Sequence, residues 1–384
     1  MLQVQTKYMI FIVDFSVTKG HKKTLTHTQS GLDNCMNLKG LSEILGLSQT
    51  TVSRALNGYP EVSEATRKKI LAVAKEHNYS PNARAKGLAT GRANAIGHVI
   101  PMSNQNEVVN PIFGDFLAGA GEVYAANNYD LVMSIVDPAD EEKTYRALKS
   151  RGAVDGIILH GPRMNDDRIA LLRSIGMPFV VHGRASGIDA PYSWLDVNNR
   201  RAFFRAASFL TDLGHTRIAL LNGLETMDFA DRRRAGYEQA LTERRIPLDP
   251  TIMRSAEMTE SFGYAGAMEI LSQPNPPTAF LVSSIITALG VRHALEDLGL
   301  QMGRDVSVIT HDDMLSYLSN VTEVPAFTST RSSVRDAGRL LSQMLVDQIN
   351  NPDISPQHHL LEVELTVGRS TGPAPKQTTS AKTA

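Results

Sequence analysis

Between residues 96 and 368 the chain alternates short apolar runs with longer stretches of helical period, and this alternation restricts the fold more than any other feature. Ala95–Pro101, Leu131–Val136, Gly156–His160 and Pro178–His182 are apolar runs of strand length. Arg217–Asn222, Ala279–Ser283 and Asp305–Thr310 repeat the theme. Helical patterns lie between them, as over Phe113–Ala126, Arg200–Leu213 and Ala230–Arg244. Strands spaced by helices predict a parallel sheet with helices on both faces. Roughly 270 residues is long for one open sheet, so two α/β lobes are expected, with a ligand cleft at the strand carboxyl ends.

Residues 36–79 have a different character, helical throughout. Leu38, Leu41, Ile44 and Leu45 share one helical face, and Gly46 ends that helix as glycine does just past a C-terminus. Ser48 is placed to cap a second helix, Gln49–Leu56, with Val52, Ala55 and Leu56 inward. Asn57-Gly58 closes it. A third helix starts at Ser63 and carries Ile70, Val73, Ala74 and His77 as its buried stripe. Two short helices joined by a Gly-containing turn and braced by a third read as a helix-turn-helix. The outward Gln49, Thr50, Ser53 and Arg54 suit base edges and phosphates; an ordinary helical hairpin with a polar face has the same spacing.

Charge points the same way. The chain carries a net −1, yet residues 36–92 hold nine Lys/Arg against four Asp/Glu and residues 1–35 hold four against two, leaving −8 for the rest. A small basic head on an acidic body suggests a polyanion partner for the head. The single cysteine, Cys35, excludes a disulfide scaffold and a Cys-based zinc site and fits a reducing cytoplasm. No apolar run approaches the roughly 20 residues of a membrane helix. Tyr8–Val17 is interrupted by Asp14, so it makes a poor signal peptide. Catalytic signatures are missing as well: no P-loop, no G-x-G-x-x-G, and no G-x-S-x-G at a strand–helix junction. His311-Asp312-Asp313 has no second His/Asp cluster at partner spacing. A binding protein rather than an enzyme is expected, without cofactor or metal.

The segment Leu41-Ser-Glu-Ile-Leu-Gly-Leu-Ser-Gln-Thr-Thr-Val-Ser-Arg-Ala-Leu-Asn57 resembles the head of LacI/GalR family repressors. So do Val62-Ser63, Thr66-Arg67, Asn78-Tyr79-Ser80-Pro81-Asn82 and Leu88-Ala89-Thr90-Gly91-Arg92. The resemblance continues through Ile96-Gly97, Gly214-His215-Thr216-Arg217, Arg233-Arg234-Ala235-Gly236-Tyr237 and Asp305–Ile309 with Asp312-Asp313, covering about residues 36–370. It implies an all-α helix-turn-helix head on a two-lobed, periplasmic-binding-protein-like α/β body. It also implies DNA contacts by Leu38, Ser48, Gln49, Thr50, Ser53, Arg54, Asn57, Ser63, Thr66 and Tyr79, and by Asn82, Ala85, Lys86 and Leu88 of a hinge helix. In the family such helices pair in the minor groove, where a leucine wedges between base pairs. Glycine at Gly87 and the short length leave this helix marginal alone, so it is expected to fold only with a dimer partner and DNA.

In the body, the resemblance makes Arg233 the effector anchor, paired with Asp312. Ser284 stands where the family has Asn-Asp, and His182-Gly183-Arg184 where it has an acid. Phe113 is either a sugar-stacking ring or a core aromatic, and Trp194 either a sugar platform or interlobe packing. The expected plan has an extension at 1–35, non-native or disordered, because Met36-Asn37-Leu38 fits a family start; a basic arm is the alternative. The head is 36–79 and the hinge and linker 80–95. Lobe 1 is expected at about 96–195 and 328–352, lobe 2 at about 196–327 and 353–368, and a disordered tail at 369–384. The resemblance implies a cytoplasmic homodimer on a pseudo-palindromic double-stranded operator, with no membrane partner; the absence of leucine after 368 argues against a leucine-heptad tetramer. The head from Leu38 to Val62 is similar to repressors of α-glucoside uptake in rhizobia. An α-glucoside is therefore the expected effector, with another sugar, a sugar phosphate or a purine corepressor as alternatives. A periplasmic sugar receptor shares the lobes but has no use for the head.

Overall fold

The computed structural model describes residues 36–79, 91–101, 110–318, 320 and 323–376. The chain divides into two compact units, Met1–Asn82 and Ala83–Ala384. The expectations for 1–35, for 80–90 with Asn82, Ala85, Lys86 and Leu88, and for 377–384 lie outside the described residues.

The first unit holds α1 (Leu38–Leu45), α2 (Gln49–Leu56) and α3 (Glu64–Glu76). Each starts on a side-chain cap, Asn37, Ser48 and Ser63, which satisfies a backbone N–H left without an intrahelical acceptor. Gly46 closes α1 at φ 64°, a conformation that only glycine adopts without strain. Leu41, Leu45, Val52, Ala55, Ile70 and Ala74 form its core. Two inward assignments are corrected. Ile44 is half exposed, because the narrow three-helix core has room for Leu41 and Leu45 but not for the flank of their stripe. His77 is exposed because α3 ends at Glu76 and the imidazole stands on the cap.

The second unit begins with β1 (Ala95–Pro101), α4 (Pro111–Ala126), β2 (Asp130–Val136), α5 (Glu141–Ser150), β3 (Gly156–His160), α6 (Asp167–Ser174), β4 (Phe179–His182) and β5 (Ser193–Val197). There follow α7 (Asn199–Asp212), β6 (Ile218–Asn222), α8 (Asp228–Glu243), β7 (Met253–Ser255), α9 (Glu260–Leu271), β8 (Ala279–Val282), α10 (Ile285–Asp297) and β9 (Ser307–Asp312). It closes with β10 (Thr328–Arg331), α11 (Val334–Asn350), β11 (His358–Leu361) and β12 (Glu364–Thr366). The strands form two six-stranded sheets, ordered β11-β5-β4-β3-β1-β2 in lobe 1 and β12-β10-β9-β8-β6-β7 in lobe 2. All pairs are parallel except β10 with β12.

The chain crosses between lobes three times: after β5, after β10 and between β11 and β12. The expected boundaries shift accordingly. Thr328–Arg331 pairs with β9 in lobe 2, not lobe 1, and His358–Leu361 pairs with β5 in lobe 1, not lobe 2. Apolar period marks a strand but not its sheet, which is why the return segments were misassigned. The tail is also corrected as far as Ala374. Ser370 accepts from Val308 N and bonds Thr328 N through its hydroxyl, Gly372 bonds Ser307, and Ala374 N reaches Leu213 O at 2.9 Å. A Ser/Thr/Pro-rich composition reads as solvated chain, yet here Ser370 and Gly372 bond to the first residues of the interior strands β9 and β10.

Three helix pairs among the described residues pack backbone to backbone, one of them α7 with α8, where Gly236 meets the Arg200 carbonyl. A Cβ on Gly119 of α4 would run into the Arg335 carbonyl of α11, and one on Gly290 of α10 into the Glu260 carbonyl of α9. Neither neighbour is a flexible side chain that could move aside. Gly290→Ala is expected to destabilise the body by about 1–3 kcal/mol, the usual cost of overpacking. Thermal unfolding would check this; an unchanged melting temperature would show that the helices separate freely.

Candidate nucleic-acid interface and ligand cleft

On the head, Ser48 Oγ accepts from Thr51 N at 3.1 Å and so sets the start of α2. Gln49, Thr50 and Arg54 are exposed and Ser53 is half-buried on the same helix. Arg54 makes no ion pair among the described residues, and its guanidinium is free for an external anion. Of the other expected contacts, Asn57 donates back to Ser53 O at 2.8 Å and closes the helix. Ser63 caps α3 and meets Thr66 Oγ1 at 2.8 Å. Leu38 and Tyr79 pack against the head core, where burial raises the Tyr79 phenol. The arrangement is thus a polar, cation-bearing helix on a rigid three-helix support, which can enter a major groove. Arg54→Ala should weaken specific DNA binding by about 1–3 kcal/mol, as loss of a base or phosphate contact does. Gel-shift titration with specific and scrambled duplexes measures it.

In the body, the carboxyl ends of both sheets face a cleft. Arg233 of α8 is buried there, only 5% exposed. Its Nε donates to Asn199 Oδ1 at 2.8 Å and its Nη1 to Ser283 O at 2.7 Å. Phe203 and Phe229 rings lie 5.2 and 4.9 Å from the guanidinium carbon. Burial lowers the guanidinium to about 10, and the charges of Asp313 and Asp196 hold it up. Burial in turn raises both carboxyls to about 6.

The expected partner Asp312 does not meet Arg233. As the last residue of β9 its side chain faces Arg331, 3.4 Å away, and its Oδ1 accepts from Met314 N. Alternation along the strand turns Asp313, not Asp312, toward Arg233. Ser284 is the N-cap of α10, its Oγ accepting from Ile286 N at 3.1 Å. Arg184 donates to Asp196 Oδ2 at 3.0 Å. Trp194 stacks on His358 at 4.9 Å, with the Arg184 guanidinium 5.3 Å from its ring centre. A chain of contacts therefore links it to the cleft, from Trp194 to Arg184, Asp196, Asn199 and Arg233, with Asn199 donating to Asp196 at 3.2 Å.

Phe113 stands at the first turn of α4 beside a group not foreseen as a unit: His98, His160 and His182, from three adjacent strands. Its ring meets His160 edge-on at 5.1 Å. His98 Nδ1 lies 2.9 Å from His160 Nε2, and His160 Nδ1 lies 3.3 Å from His182 Nδ1. Burial and mutual repulsion lower His98 to about 3, and burial lowers His182 to about 4. Each histidine looks unremarkable alone; only the sheet order β4-β3-β1 brings them together.

Contacts between lobes flank the cleft. Asp228, fully buried at the start of α8, accepts from Ser186 N and pairs with Arg232, whose Nη2 donates to Ser186 Oγ at 2.8 Å. Asp115 of α4 accepts from Ser316 N at 2.7 Å and from its hydroxyl at 2.5 Å. Neither acid was singled out from sequence, where each is one helical carboxylate among many.

A helix-turn-helix unit joined to a two-lobed cleft defines a ligand-controlled DNA-binding regulator. The comparisons make the class specific. Residues 43–82 match the family of bacterial regulatory proteins, lacI family, and residues 207–371 match the periplasmic binding protein-like domain. The HTH-type transcriptional regulator AglR of Rhizobium meliloti (strain 1021) is 44% identical over 340 residues, 88% of this chain and 95% of that protein. RafR of Escherichia coli, an HTH-type transcriptional regulator, is 33% identical over 82% of this chain and 92% of its own. Among solved structures, the lac repressor dimer bound to operator and the anti-inducer ONPF superposes with a TM-score of 0.76 at 26% identity, over 88% of this chain and 99% of that one. A CelR–cellobiose complex does so with 0.65 at 26% identity, over 87% and 99%. The chain belongs to the LacI family of transcriptional regulators. No helix among the described residues is long and apolar enough to cross a membrane.

The histidine cluster carries a pH consequence. An unfolded histidine takes up a proton near 6.5, whereas folded His182 resists until about 4. Its share of stability is therefore complete above pH 6.5 and is lost as pH falls toward 4. Wild type should lose up to about 1.4 kcal/mol more stability per pH unit across that window than His182→Gln. Parallel slopes in pH-resolved thermal denaturation would contradict the buried, neutral state.

Proposed function

We propose that the protein is a cytoplasmic homodimeric repressor of sugar-utilisation genes, released from a pseudo-palindromic operator by an uncharged sugar, with an α-glucoside as the first candidate. The observation that carries the effector class is the charge balance of the cleft. Arg184 is paired with Asp196, Arg232 with Asp228, Arg331 with Asp312, and Arg233 faces Asp313 and Asp196. Residues 102–109, which follow β1, contain no Lys or Arg. A phosphate or carboxylate ligand needs cations not already neutralised. A sugar hydroxyl both donates and accepts, and a buried guanidinium with a facing carboxylate can bracket vicinal hydroxyls. This favours a neutral sugar over a sugar phosphate.

Control of DNA then requires unequal affinity of the sugar for two lobe arrangements. The Asp115–Ser316 and Asp228–Ser186 contacts supply a pair of arrangements, made or broken, that ligand between the lobes would bias. Similarity to AglR and RafR supports the assignment to sugar genes, and the family resemblance of the head supports the α-glucoside.

Titration of Trp194 fluorescence with sucrose, maltose, trehalose, monosaccharides, sugar phosphates and purines would identify the ligand, because the indole is tied through Arg184, Asp196 and Asn199 to Arg233. Arg233→Ala is expected to keep operator affinity within about twofold while abolishing sugar-induced release, since it removes a cleft charge and no head contact. Retained release in that variant would overturn the cleft assignment, and a response to sugar phosphates alone would overturn the neutral-sugar reading.

A further inference from the structure

The histidine cluster does not stop at the cleft. Behind His98 the Tyr124 hydroxyl of α4 lies 2.8 Å from Nε2. Behind Tyr124 stands Ser342 of α11, fully buried. Among the described residues its Oγ makes no hydrogen bond. At the other end, His182 closes β4 and stacks on Phe116 at 4.5 Å. Its Nε2 has no partner among the described residues and is not one of the buried polar atoms left without one, so it reaches the solvent of the cleft. Among the described residues no carboxylate bonds any of the three rings, and the one cation there that acts on them, Arg168 on His160, is itself held by Asp166 at 2.6 Å and Glu141 at 3.1 Å.

Neutral imidazoles in series obey a strict rule. Each has one N–H and one bare nitrogen, so a ring that accepts on one side must donate on the other. The polarity of such a chain is therefore set at one end and transmitted to the other. The Tyr124 hydroxyl has no hydrogen-bond partner among the described residues other than His98 Nε2, so its O–H donates there rather than lie buried and unpaired. His98 must then donate from Nδ1 to His160 Nε2, and His160 from Nδ1 to His182 Nδ1. What remains is an N–H on His182 Nε2.

We propose that Tyr124, His98, His160 and His182 form one hydrogen-bonded chain of fixed polarity that presents His182 Nε2–H as a donor to an oxygen of the effector on the lobe 1 side of the cleft. This deepens the proposed function and rests on it for its last link only. His182 is a specificity residue, selecting an ether or hydroxyl oxygen and refusing an ammonium group, which offers no acceptor. The other three are positioning residues that act through it. The chain starts where α4 packs on α11, so the core of lobe 1 dictates which kind of hydrogen bond the ligand must make.

The full-length protein labelled with ¹⁵N-histidine, without ligand at pH 7, gives the ring tautomers through two-bond nitrogen–proton correlations, assigned with His98→Gln, His160→Gln and His182→Gln. The expected result is three neutral rings, protonated at Nδ1 in His98 and His160 and at Nε2 in His182. The reverse order, or any cationic ring, would overturn the chain. Tyr124→Phe removes the source of polarity. His182 should then become a mixture of tautomers, and the sugar that binds wild type should bind about fivefold more weakly, the worth of one neutral hydrogen bond. An unchanged His182 tautomer in the folded variant also counts against the chain. Should that variant fail to fold, the wild-type tautomers still decide. Ordered rings with no response of the wild type to any sugar would strike the effector reading and the last link, and leave the chain standing.

Discussion

A guanidinium that is charged, almost fully buried and shared between segments far apart in sequence is the constraint around which the body is arranged. Arg233 is desolvated, and burial of an uncompensated charge costs several kcal/mol. Its compensation comes from four places: Asn199 just past the first crossover, the Ser283 carbonyl after β8, and the carboxylates Asp196 at the end of β5 and Asp313 after β9. Both lobes contribute. Moving one lobe against the other therefore changes the environment of a buried charge, and a low local dielectric makes such a change energetically large. This is how a hinge between rigid sheets becomes sensitive to a small ligand.

Rigidity is the complement of that sensitivity. Lobe 1 is clamped by the glycine contact between α4 and α11, and lobe 2 by its counterpart between α9 and α10. Sub-ångström changes cannot be absorbed inside such packing, because close-packed interiors transmit strain rather than deform. They pass instead to the polar contacts between lobes, Asp115 with Ser316, and Asp228 and Arg232 with Ser186. Each of these hydrogen bonds to a charged group is worth on the order of 1–3 kcal/mol net. Packed lobes with weak joints between them have the energy balance of a two-state element.

Much of this was legible beforehand. The strands and helices announced themselves through period, and the caps Ser48 and Ser63 through residue type, because these signals are local. Family motifs located Arg233. What failed has one physical cause: the missing information was non-local. Thr328–Arg331 reads as a strand, but only its hydrogen bonds to β9 assign it to lobe 2. Asp312 and Asp313 are chemically identical neighbours, and strand alternation alone decides which of them faces Arg233. Trp194 was read as platform or packing; its stack on His358 depends on β11 returning beside β5. The polar tail looked solvated until Ser370 and Gly372 found partners in strands more than 60 residues away.

The histidines show why the site's specificity is harder to read than its existence. A lone histidine in a strand is most simply a core residue with one hydrogen bond, and His98 by itself would be that. Parallel sheets order their strands differently from the sequence, so β1, β3 and β4 set side by side three rings that are 62 and 22 residues apart. Once adjacent, their properties belong to the group. None can hold a proton without the others paying in repulsion, and none can choose its tautomer independently. Recognition in such a cleft is therefore a property of strand order as much as of residue identity. On the proposed reading, exchanging one ring while keeping Arg233's surroundings would alter which ligand oxygen is read without changing the fold.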